Sequence, residues 1–215
     1  MIPQASLNVQ SGEKNFIENS LGVSLMYRRI TYFSKYKKII DVLVWCFGCL
    51  PKFVLVALYS FVQPFSGKIG ILFRYVIVKN LCACIGDNVV IGQYVIIKSL
   101  HKLSIGSNVS IHAFCYIDAE GGLKIGNNVS IATKCTILST DHTWSDRSIP
   151  IKYNQVIKRR TIIGDDVWFG AGCTVCAGAD VQPRVIVGAH SLVKGRLEKS
   201  TVYAGTPAKI MKVLK

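Results

Sequence analysis

His142 stands in a stretch whose residue types could carry out proton transfer. The stretch, ILSTDHTW over residues 137–144, places Asp141 directly before the histidine. An imidazole titrates near neutral pH, so it can accept a proton from a hydroxyl or an amine. A carboxylate near its second ring nitrogen would fix the tautomer and stabilise the imidazolium. The stretch therefore predicts general-base chemistry, provided that the fold brings carboxylates and a ligand to the ring.

A six-residue rhythm runs on both sides of this stretch and predicts the element that positions it. An aliphatic or aromatic residue begins each unit, at Ile85, Ile91, Ile97, Ile105, Ile111, Ile117, Ile125, Ile131, Ile137, Ile163, Phe169, Val175, Val181, Val187 and Val193. Six residues are too few for a helical unit. They suit a short strand followed by a turn, in which Gly-Asp and Gly-Asn pairs supply the turn backbone. The rhythm predicts a mainly β stack of short strands.

The rhythm slips three times, and the slips predict where a site would form. Unit starts are eight residues apart from 97 to 105 and from 117 to 125, and twenty-six apart from 137 to 163. Three starts lie between slips, so if three units make one coil, all the insertions leave the same edge on successive coils about 4.8 Å apart. Long loops in regular folds are usually functional. That edge is predicted to gather His101, Asp118, Glu120, Asp141 and His142.

The repeats resemble those of the hexapeptide-repeat acetyltransferases. Units such as IGDNVV (85–90), IGNNVS (125–130) and IGDDVW (163–168) carry the resemblance, which covers about residues 85–210. It implies a left-handed parallel β-helix of hexapeptide repeats with three hexapeptides in each triangular coil. It also implies acetyl-CoA as co-substrate, no metal, and a homotrimer in which adjacent prisms share each site.

A narrower resemblance surrounds the histidine. The segments STDHTW (139–144) and IGDDVWFGA (163–171) look like the corresponding stretch of galactoside and maltose O-acetyltransferases. This implies that His142 is the general base for a sugar hydroxyl, and that Glu120, with Asp118 two residues away, orients it or contacts the acceptor. Where those enzymes have an acceptor-contacting asparagine this chain has histidine. We expect the acceptor to be bound by His112, Asp141, Trp144 and Arg147.

The resemblance also implies a coenzyme groove. The segments GAG (170–172) and GA (188–189) supply small residues for the pantetheine arm, and the tail YAGTPAKIMK (203–212) resembles the closing motif of the family. Basic side chains would hold the phosphates. The predicted coenzyme-binding residues are Trp168, Gly170, Ala171, Ala189, Lys194, Lys209 and Lys212. Backbone N–H groups near Gly170 are candidate oxyanion donors. The alternative is that these glycines only turn the coils and these lysines only solubilise the chain end.

The front of the chain is polar and then basic and apolar. Residues 1–24 are predicted to be flexible, and residues 25–84 to be a helical segment that precedes the β-helix domain of residues 85–215, whose loop 138–162 carries the histidine. Within that segment, apolar runs of twelve and ten residues (39–50 and 53–62) flank a Pro-Lys pair. Each run is too short to span a bilayer. The runs predict a peripheral or monotopic anchor at the inner, anionic face of the cytoplasmic membrane. The alternative is packing on the prism or on a neighbouring subunit.

The composition of the chain limits the classes of partner that it is expected to bind. The chain has 215 residues, a net charge of +14 and eight cysteines. A basic chain can meet nucleic acid, anionic lipid or a phosphorylated ligand, but no aromatic-basic motif or recognition helix favours nucleic acid. The polar start is no secretory signal, so we expect a reducing compartment without disulfides. The C-x-x-C pairs 46–49 and 173–176 lie in an apolar run and in a repeat, which argues against a metal site.

The lead-in over residues 64–84 resembles the subgroup that O-acetylates surface polysaccharides. This implies an O-acetyltransferase for capsule, exopolysaccharide or O-antigen sugars of lipopolysaccharide, acting on the polymer or on a lipid-linked precursor. Three alternatives remain open: an N-acetyltransferase on a nucleotide-linked amino sugar, a non-catalytic scaffold, and a β-helical carbonic anhydrase. The last needs three convergent histidines, and the four in this chain lack the paired spacing.

Overall fold

A computed structural model describes residues 33–214, so the predictions for residues 1–24 and for the basic start of the helical segment fall outside the described residues. The chain divides into two units at Ile39–Ile40, and residues 40–214 belong to the second, compact unit. Helix α1 covers residues 33–48, α2 Lys52–Phe61 and α3 Gly67–Leu81. The second unit holds most of α1 and every later element.

Short strands make up the remainder of the chain. They are β1 Cys84–Ile85, β2 Val90–Ile91, β3 Ile96–Lys98, β4 Leu103–Ile105, β5 Ser110–Ile111, β6 Tyr116–Asp118, β7 Leu123–Ile125, β8 Ser130–Ile131, β9 Thr136–Ile137, β10 Thr140–His142, β11 Val156–Lys158, β12 Thr161–Ile163, β13 Trp168–Phe169, β14 Thr174–Val175, β15 Asp180–Val181, β16 Val185–Val187, β17 Leu192–Val193, β18 Arg196–Leu197, β19 Thr201–Ala204 and β20 Lys209–Val213. Short 3-10 turns cover Leu100–Lys102 and Ile151–Tyr153.

The strands form the three flat faces of a left-handed β-helix, as the repeats predicted. Face 1 has the order β1-β4-β7-β12-β15-β18, face 2 β2-β5-β8-β13-β16-β19-β20 and face 3 β3-β6-β9-β14-β17. Neighbours within each face are parallel, except that β20 returns antiparallel to β19. Each coil takes one strand from each face, and about six coils stack.

Inward side chains and left-handed turns explain why a six-residue unit suffices. The first residue of each unit points into the prism, and Ile91, Ile131 and Phe169 are fully buried there. Each such burial contributes about 1.5–3 kcal/mol. The turns use residues that tolerate positive φ: Asn88 and Asn108 have φ of 54° and 59°, and their side-chain amides hydrogen-bond at 3.0 Å.

Two edges of the prism carry most of the predicted site residues. The insertions 99–102, 119–122 and 138–160 all lie between a face-3 strand and the next face-1 strand, so they leave one edge, as the slips in the rhythm predicted. We name it the insertion edge. The residues that directly follow the face-2 strands line a second edge, between faces 2 and 3. We name it the glycine edge, after Gly92, Gly170 and Gly188.

Helices α2 and α3 pack on the first coil. The buried Arg74 guanidinium donates from Nε to Ile91 O (2.8 Å) and from Nη1 to Val62 O (2.9 Å), which ties α3 to both the coil and the end of α2. Tyr59 of α2 donates its hydroxyl to Val95 O at 2.7 Å, and burial raises the pKa of this phenol to about 12. One side of these helices therefore packs on the prism. The sequence had left this packing open as the alternative to a membrane anchor.

The other side of the helices is apolar and exposed. Val42, Trp45 and Phe53 are 60%, 72% and 76% exposed. We name the exposed apolar side chains of residues 42–69 the apolar face. None of the helices within residues 33–214 combines the length and apolarity needed to cross a bilayer.

Candidate active site

His142 projects from a two-stranded ribbon at the insertion edge. Strand β10 pairs antiparallel with β11, with Thr140 opposite Lys158 and His142 opposite Val156. Side chains alternate along a strand, so Thr140 and His142 share one side of β10 and Asp141 takes the other. The side chain of His142 is exposed, and its backbone N–H donates to Asp141 Oδ1 at 2.9 Å. The ring is thus accessible to an acceptor.

Asp118, from the coil below, fixes the strand that carries the histidine. It is only 6% exposed. Its carboxylate accepts a short hydrogen bond from the Thr140 hydroxyl, and its carbonyl accepts one from the Ser139 hydroxyl at 2.7 Å. Its Oδ1 also accepts the backbone N–H of Glu120 at 3.0 Å. The Asp118 carboxylate therefore contacts the ribbon at Thr140, two residues before His142.

Glu120 is held by a cationic cluster. Its Oε1 lies 2.7 Å from Lys102 Nζ and 2.5 Å from Lys158 Nζ, and its Oε2 accepts the Ser99 hydroxyl at 2.5 Å. Hydrogen bonds from Lys102, then Lys158 and Ser99, hold the pKa of this carboxyl well below its usual range. Since Lys158 lies on β11, Glu120 ties the second insertion to the ribbon while remaining an anion.

Replacing Glu120 by glutamine is expected to lower the melting temperature by a few degrees at pH 7 and by less at pH 3. A carboxyl whose folded-state pKa is depressed stabilises the fold fully above its unfolded pKa, near 4.5. The stabilisation declines as pH falls towards the folded pKa. Differential scanning fluorimetry across pH 3–8 measures the difference. Glu198→Gln, which removes a single ion pair with Arg196 (3.0 Å), is the control, and an E120Q deficit that does not change with pH would contradict the cluster.

A loop over residues 143–155, held by internal hydrogen bonds, carries Trp144 and Arg147, two of the predicted acceptor-binding residues. Asn154 is buried, and it exchanges hydrogen bonds with the backbone of Asp146, accepting at 2.9 Å and donating at 3.1 Å. Thr143 Oγ1 donates to Gln155 O at 2.9 Å. Trp144 is 71% exposed and Arg147 is also exposed, so both remain available to a ligand.

Most of the predicted coenzyme residues gather on face 2 and the glycine edge. Trp168 lies on β13 and is half exposed. Successive pairings across face 2 connect Trp168, through β16 and β19, with Lys212 on β20. Lys209, also on β20, pairs with Ala204 of β19. Ala171 and Ala189 follow on the glycine edge, where Ala189 is exposed.

Gly170 has a structural role at the glycine edge. A Cβ at this position would lie 2.5 Å from Ala189 N, so close stacking of these coils requires glycine. Its N–H donates to Val187 O at 2.8 Å and is therefore committed to coil stacking rather than to an oxyanion. The structural requirement for Gly170 is compatible with a coenzyme arm passing over it.

Lys194 and His112 lie apart from their predicted groups. Lys194 follows β17 of face 3, so it is at the insertion edge, near Cys176, where Asp141 also exerts its charge. Burial raises the pKa of the Cys176 thiol. His112 follows β5 of face 2, so it lies on the glycine edge and a whole face separates it from His142. One chain thus presents two separate half-sites.

Several residues of the site had not been singled out in the sequence. They are Ser99, Lys102, Ser139, Thr140 and Lys158. Ser139 and Thr140 adjoin His142, and the alternation of an extended strand would have placed Thr140 on the same side as the histidine. The lysines had no comparable signal, because their contacts depend on the paths of two insertions. Within residues 33–214, no three His, Cys, Asp or Glu side chains converge as metal ligands.

The comparison with known families agrees with the coils. Residues 160–195 match the family described as bacterial transferase hexapeptide (six repeats). This segment therefore carries the hexapeptide repeats of that family. The β-helix fold and the hexapeptide repeats predicted from the sequence are confirmed.

Known relatives of this chain are named as acetyltransferases. A Mycobacterium tuberculosis protein of that name is 33% identical over 78 residues, which are 36% of this chain and 26% of the relative. WbbJ of Escherichia coli, named for O-acetyl transfer in lipopolysaccharide biosynthesis, is 40% identical over 68 residues, 32% of this chain and 35% of the relative. The matches thus span about a quarter to a third of those relatives.

Solved structures extend the likeness along the chain. A galactoside acetyltransferase solved in complex with coenzyme A has a TM-score of 0.68 and 21% identity, and the match covers 76% of this chain and 80% of that chain. At this identity the likeness concerns the fold.

Proposed function

We propose that this chain is an acetyl-CoA-dependent O-acetyltransferase. Its acceptor is a hydroxyl of a sugar in bacterial capsule, O-antigen or exopolysaccharide, or in a lipid-linked precursor. The observation that carries the proposal is the exposed imidazole of His142 at the insertion edge. The hydrogen bond from Thr140 to Asp118 fixes its strand to the β-helix, part of which matches the hexapeptide repeats of bacterial transferases. WbbJ is named for this reaction class, and the similar galactoside acetyltransferase was solved with coenzyme A, which supports the proposal.

His142 performs the proton transfer in this reaction. An unprotonated ring nitrogen accepts the proton of the sugar hydroxyl while the oxygen attacks the thioester carbonyl of acetyl-CoA. The tetrahedral intermediate collapses, the C–S bond breaks, and the leaving thiolate takes the proton from the imidazolium. The products are the acetyl ester and coenzyme A, so no covalent enzyme intermediate is needed. Asp118 acts as a positioning residue through Thr140, and Glu120 with its lysines shapes the acceptor side.

The site is completed between protomers. His142 lies at the insertion edge, whereas the small residues Gly170 and Ala189 line the glycine edge, and face 3 separates the two. A cyclic homotrimer, a closed symmetry, would set the insertion edge of one prism against the glycine edge of the next. In that arrangement Lys194 reaches the coenzyme from the neighbouring protomer, and His112 faces the acceptor. The two half-sites support this assembly.

The enzyme is proposed to work at the inner face of the cytoplasmic membrane. Trp45 and Phe53 of the apolar face are both more than 70% exposed. An interfacial helix buries such side chains at the boundary of headgroups and acyl chains. The net charge of +14 would favour anionic lipid.

Release of free thiol from acetyl-CoA tests the activity. Purified full-length protein is incubated with acetyl-CoA and separate panels of free sugars, lipid-linked oligosaccharides and nucleotide-linked amino sugars. Acceptor-dependent release with a hydroxyl acceptor, and an alkali-labile ester in the product, is the expected result. Release only with an amino-sugar nucleotide, giving an amide, would replace the proposal with N-acetylation. Absence of both turnover and coenzyme A binding would favour a scaffold.

Replacing Thr140 by valine is expected to lower kcat about ten- to a hundredfold with little change in KM for acetyl-CoA. The substitution keeps the shape but removes the hydroxyl that binds Asp118, so the ribbon and His142 shift, and small misplacements of reacting groups are costly. Steady-state kinetics of thiol release measure both constants. Thr140→Ser restores a hydroxyl and should recover most of kcat. A normal kcat for T140V would show that the Asp118 bond does not position His142.

A further inference from the structure

A cavity of about 520 Å³ lies between α2 and the first coil of the prism. This volume falls within the range of about 300–1,000 Å³ that small-molecule sites occupy. The coenzyme groove does not use it, since that groove follows face 2 and the glycine edge. Its walls come from α2, the end of α3, the face-3 strand β3 and the first insertion.

The walls are mainly apolar and merge with the apolar face. Val56, Leu81, Ile96 and Leu100 line the cavity. Val56 and Ile96 are 52% and 56% exposed, so the cavity is open to its surroundings. An apolar chain could therefore run from the apolar face into the cavity and bury its surface there.

Polar groups stand at defined points of the same cavity. Lys52 and His101 both line it and are exposed, which places an ammonium group and an imidazole at its mouth. Gln63 also lines it and donates from Nε2 to Val95 O at 2.9 Å, but its buried Oε1 finds no donor among residues 33–214. The cavity thus combines apolar walls with a few polar groups, an arrangement that suits a ligand with an apolar chain and a charged end.

The cavity adjoins the insertion edge directly. Ser99 lines it and donates its hydroxyl to Glu120 Oε2 at 2.5 Å. Glu120 in turn binds Lys158, on the strand paired with that of His142. A ligand seated in the cavity with its polar end towards Ser99 would thus place attached sugars along the candidate acceptor side.

We propose that this cavity seats the carrier-proximal part of a lipid-phosphate-linked sugar acceptor. The first segment of the lipid chain lies against Val56, Ile96 and Leu100, and the phosphate pairs with Lys52 and His101. The identity of the acceptor rests on the proposed function, whereas occupancy of the cavity does not. Lipid linkage of the acceptor explains why an apolar cavity, an apolar face and an acetyl-transfer edge are continuous.

Calorimetric titration of the full-length protein tests the cavity without requiring turnover. The probes are farnesyl phosphate below its micelle concentration, farnesol, inorganic phosphate and dihexanoyl phosphatidylglycerol. Farnesyl phosphate is expected to bind at least about tenfold more tightly than the other three, because it alone combines a single apolar chain for the walls with a phosphate for Lys52 and His101. Equal binding of phosphatidylglycerol would replace the proposal with a seat for bulk phospholipid. Equal binding of inorganic phosphate would reduce it to an anion site.

Variants locate the bound probe. Ile96→Trp fills the cavity from an exposed position and is expected to weaken farnesyl phosphate at least about tenfold. Lys52→Ala is expected to weaken it about three- to tenfold. Lys124→Ala, an exposed change on face 1, is the matched control and should bind as the wild type does. Melting temperatures verify that each variant is folded.

Three results would overturn the proposal. They are absence of farnesyl phosphate binding to the wild type, unchanged binding to a folded I96W variant, and a smaller oligomer for I96W by light scattering, which would assign the cavity to a second copy. Thiol release is measured separately on the same preparations. Probe binding without acetyl transfer to any acceptor would count against the proposed reaction and leave the cavity assignment standing, whereas transfer to free sugars without probe binding would do the reverse.

Discussion

Replacing His142 by glutamine is expected to lower kcat for acetyl transfer by about a thousandfold while leaving the coils intact. General-base groups typically contribute about 10²–10⁴ to a rate. Glutamine keeps a hydrogen-bonding side chain of similar size but cannot accept the proton of the acceptor hydroxyl. Because the side chain is exposed on β10, its replacement removes no buried packing. Thiol release with the best acceptor measures kcat, and fluorimetry with light scattering monitors fold and assembly.

The control variant should replace an exposed charged side chain that lies on neither the insertion edge nor the glycine edge. Lys124→Gln meets this condition, because Lys124 is exposed on β7 of face 1. It should retain wild-type turnover. An H142Q protein that turns over at a comparable rate would remove the general-base assignment. A slow H142Q protein with unchanged coenzyme A affinity would separate the chemical step from binding.

The β-helix was predictable because the spacing of the hexapeptide units determines its arrangement. Once three hexapeptides make a coil, the face and level of every strand follow, and so does the shared edge of the three insertions. The inward Ile131 and Phe169 occupy the places that the count assigns. The same count would have separated His112 from His142, since the two follow strands of different faces. The predicted site combined them because a family resemblance does not say which chain contributes each residue.

The local paths of the insertions were not predictable from the repeats. Thr140 meets Asp118 only because the chain after β9 pairs with β11 and forms a ribbon over the coil below. Glu120 meets Lys102 and Lys158 because two insertions of different lengths converge on it. The sequence around Arg74, in an apolar helix, does not indicate that its guanidinium binds backbone carbonyls at the end of α2 and in the first coil. Long flexible side chains find such partners through tertiary geometry that no period encodes.

These local contacts assign different tasks to the two carboxylates that sequence placed beside the histidine. Asp118 is buried and binds the ribbon through Thr140, so it acts on the position of the imidazole. Glu120 is partly exposed and paired with two lysines, so it presents a fixed polar surface next to Ser99. Under the proposed function, Asp118 would position the general base and Glu120 would shape the acceptor side, and T140V tests the first of these roles.

Mixing two inactive variants is expected to restore about a quarter of wild-type activity. His142→Gln damages the insertion edge, and Ala189→Trp blocks the exposed glycine edge with a large ring. If each site combines the insertion edge of one protomer with the glycine edge of the next, random 1:1 trimers contain both intact edges in about one quarter of their sites. The variants are co-expressed with different tags, and thiol release is compared with each homotrimer.

The recovered activity discriminates between two arrangements of the site. If both edges of one chain formed the site, every H142Q protomer would lack the base and every A189W protomer would lack the groove, so the mixture would remain inactive. Recovery requires the exchange of edges between chains, which the separation of His142 from Ala189 by face 3 predicts. Co-expression of two differently tagged H142Q copies controls for effects of the tags. That pair should stay inactive, because it supplies intact glycine edges but no general base.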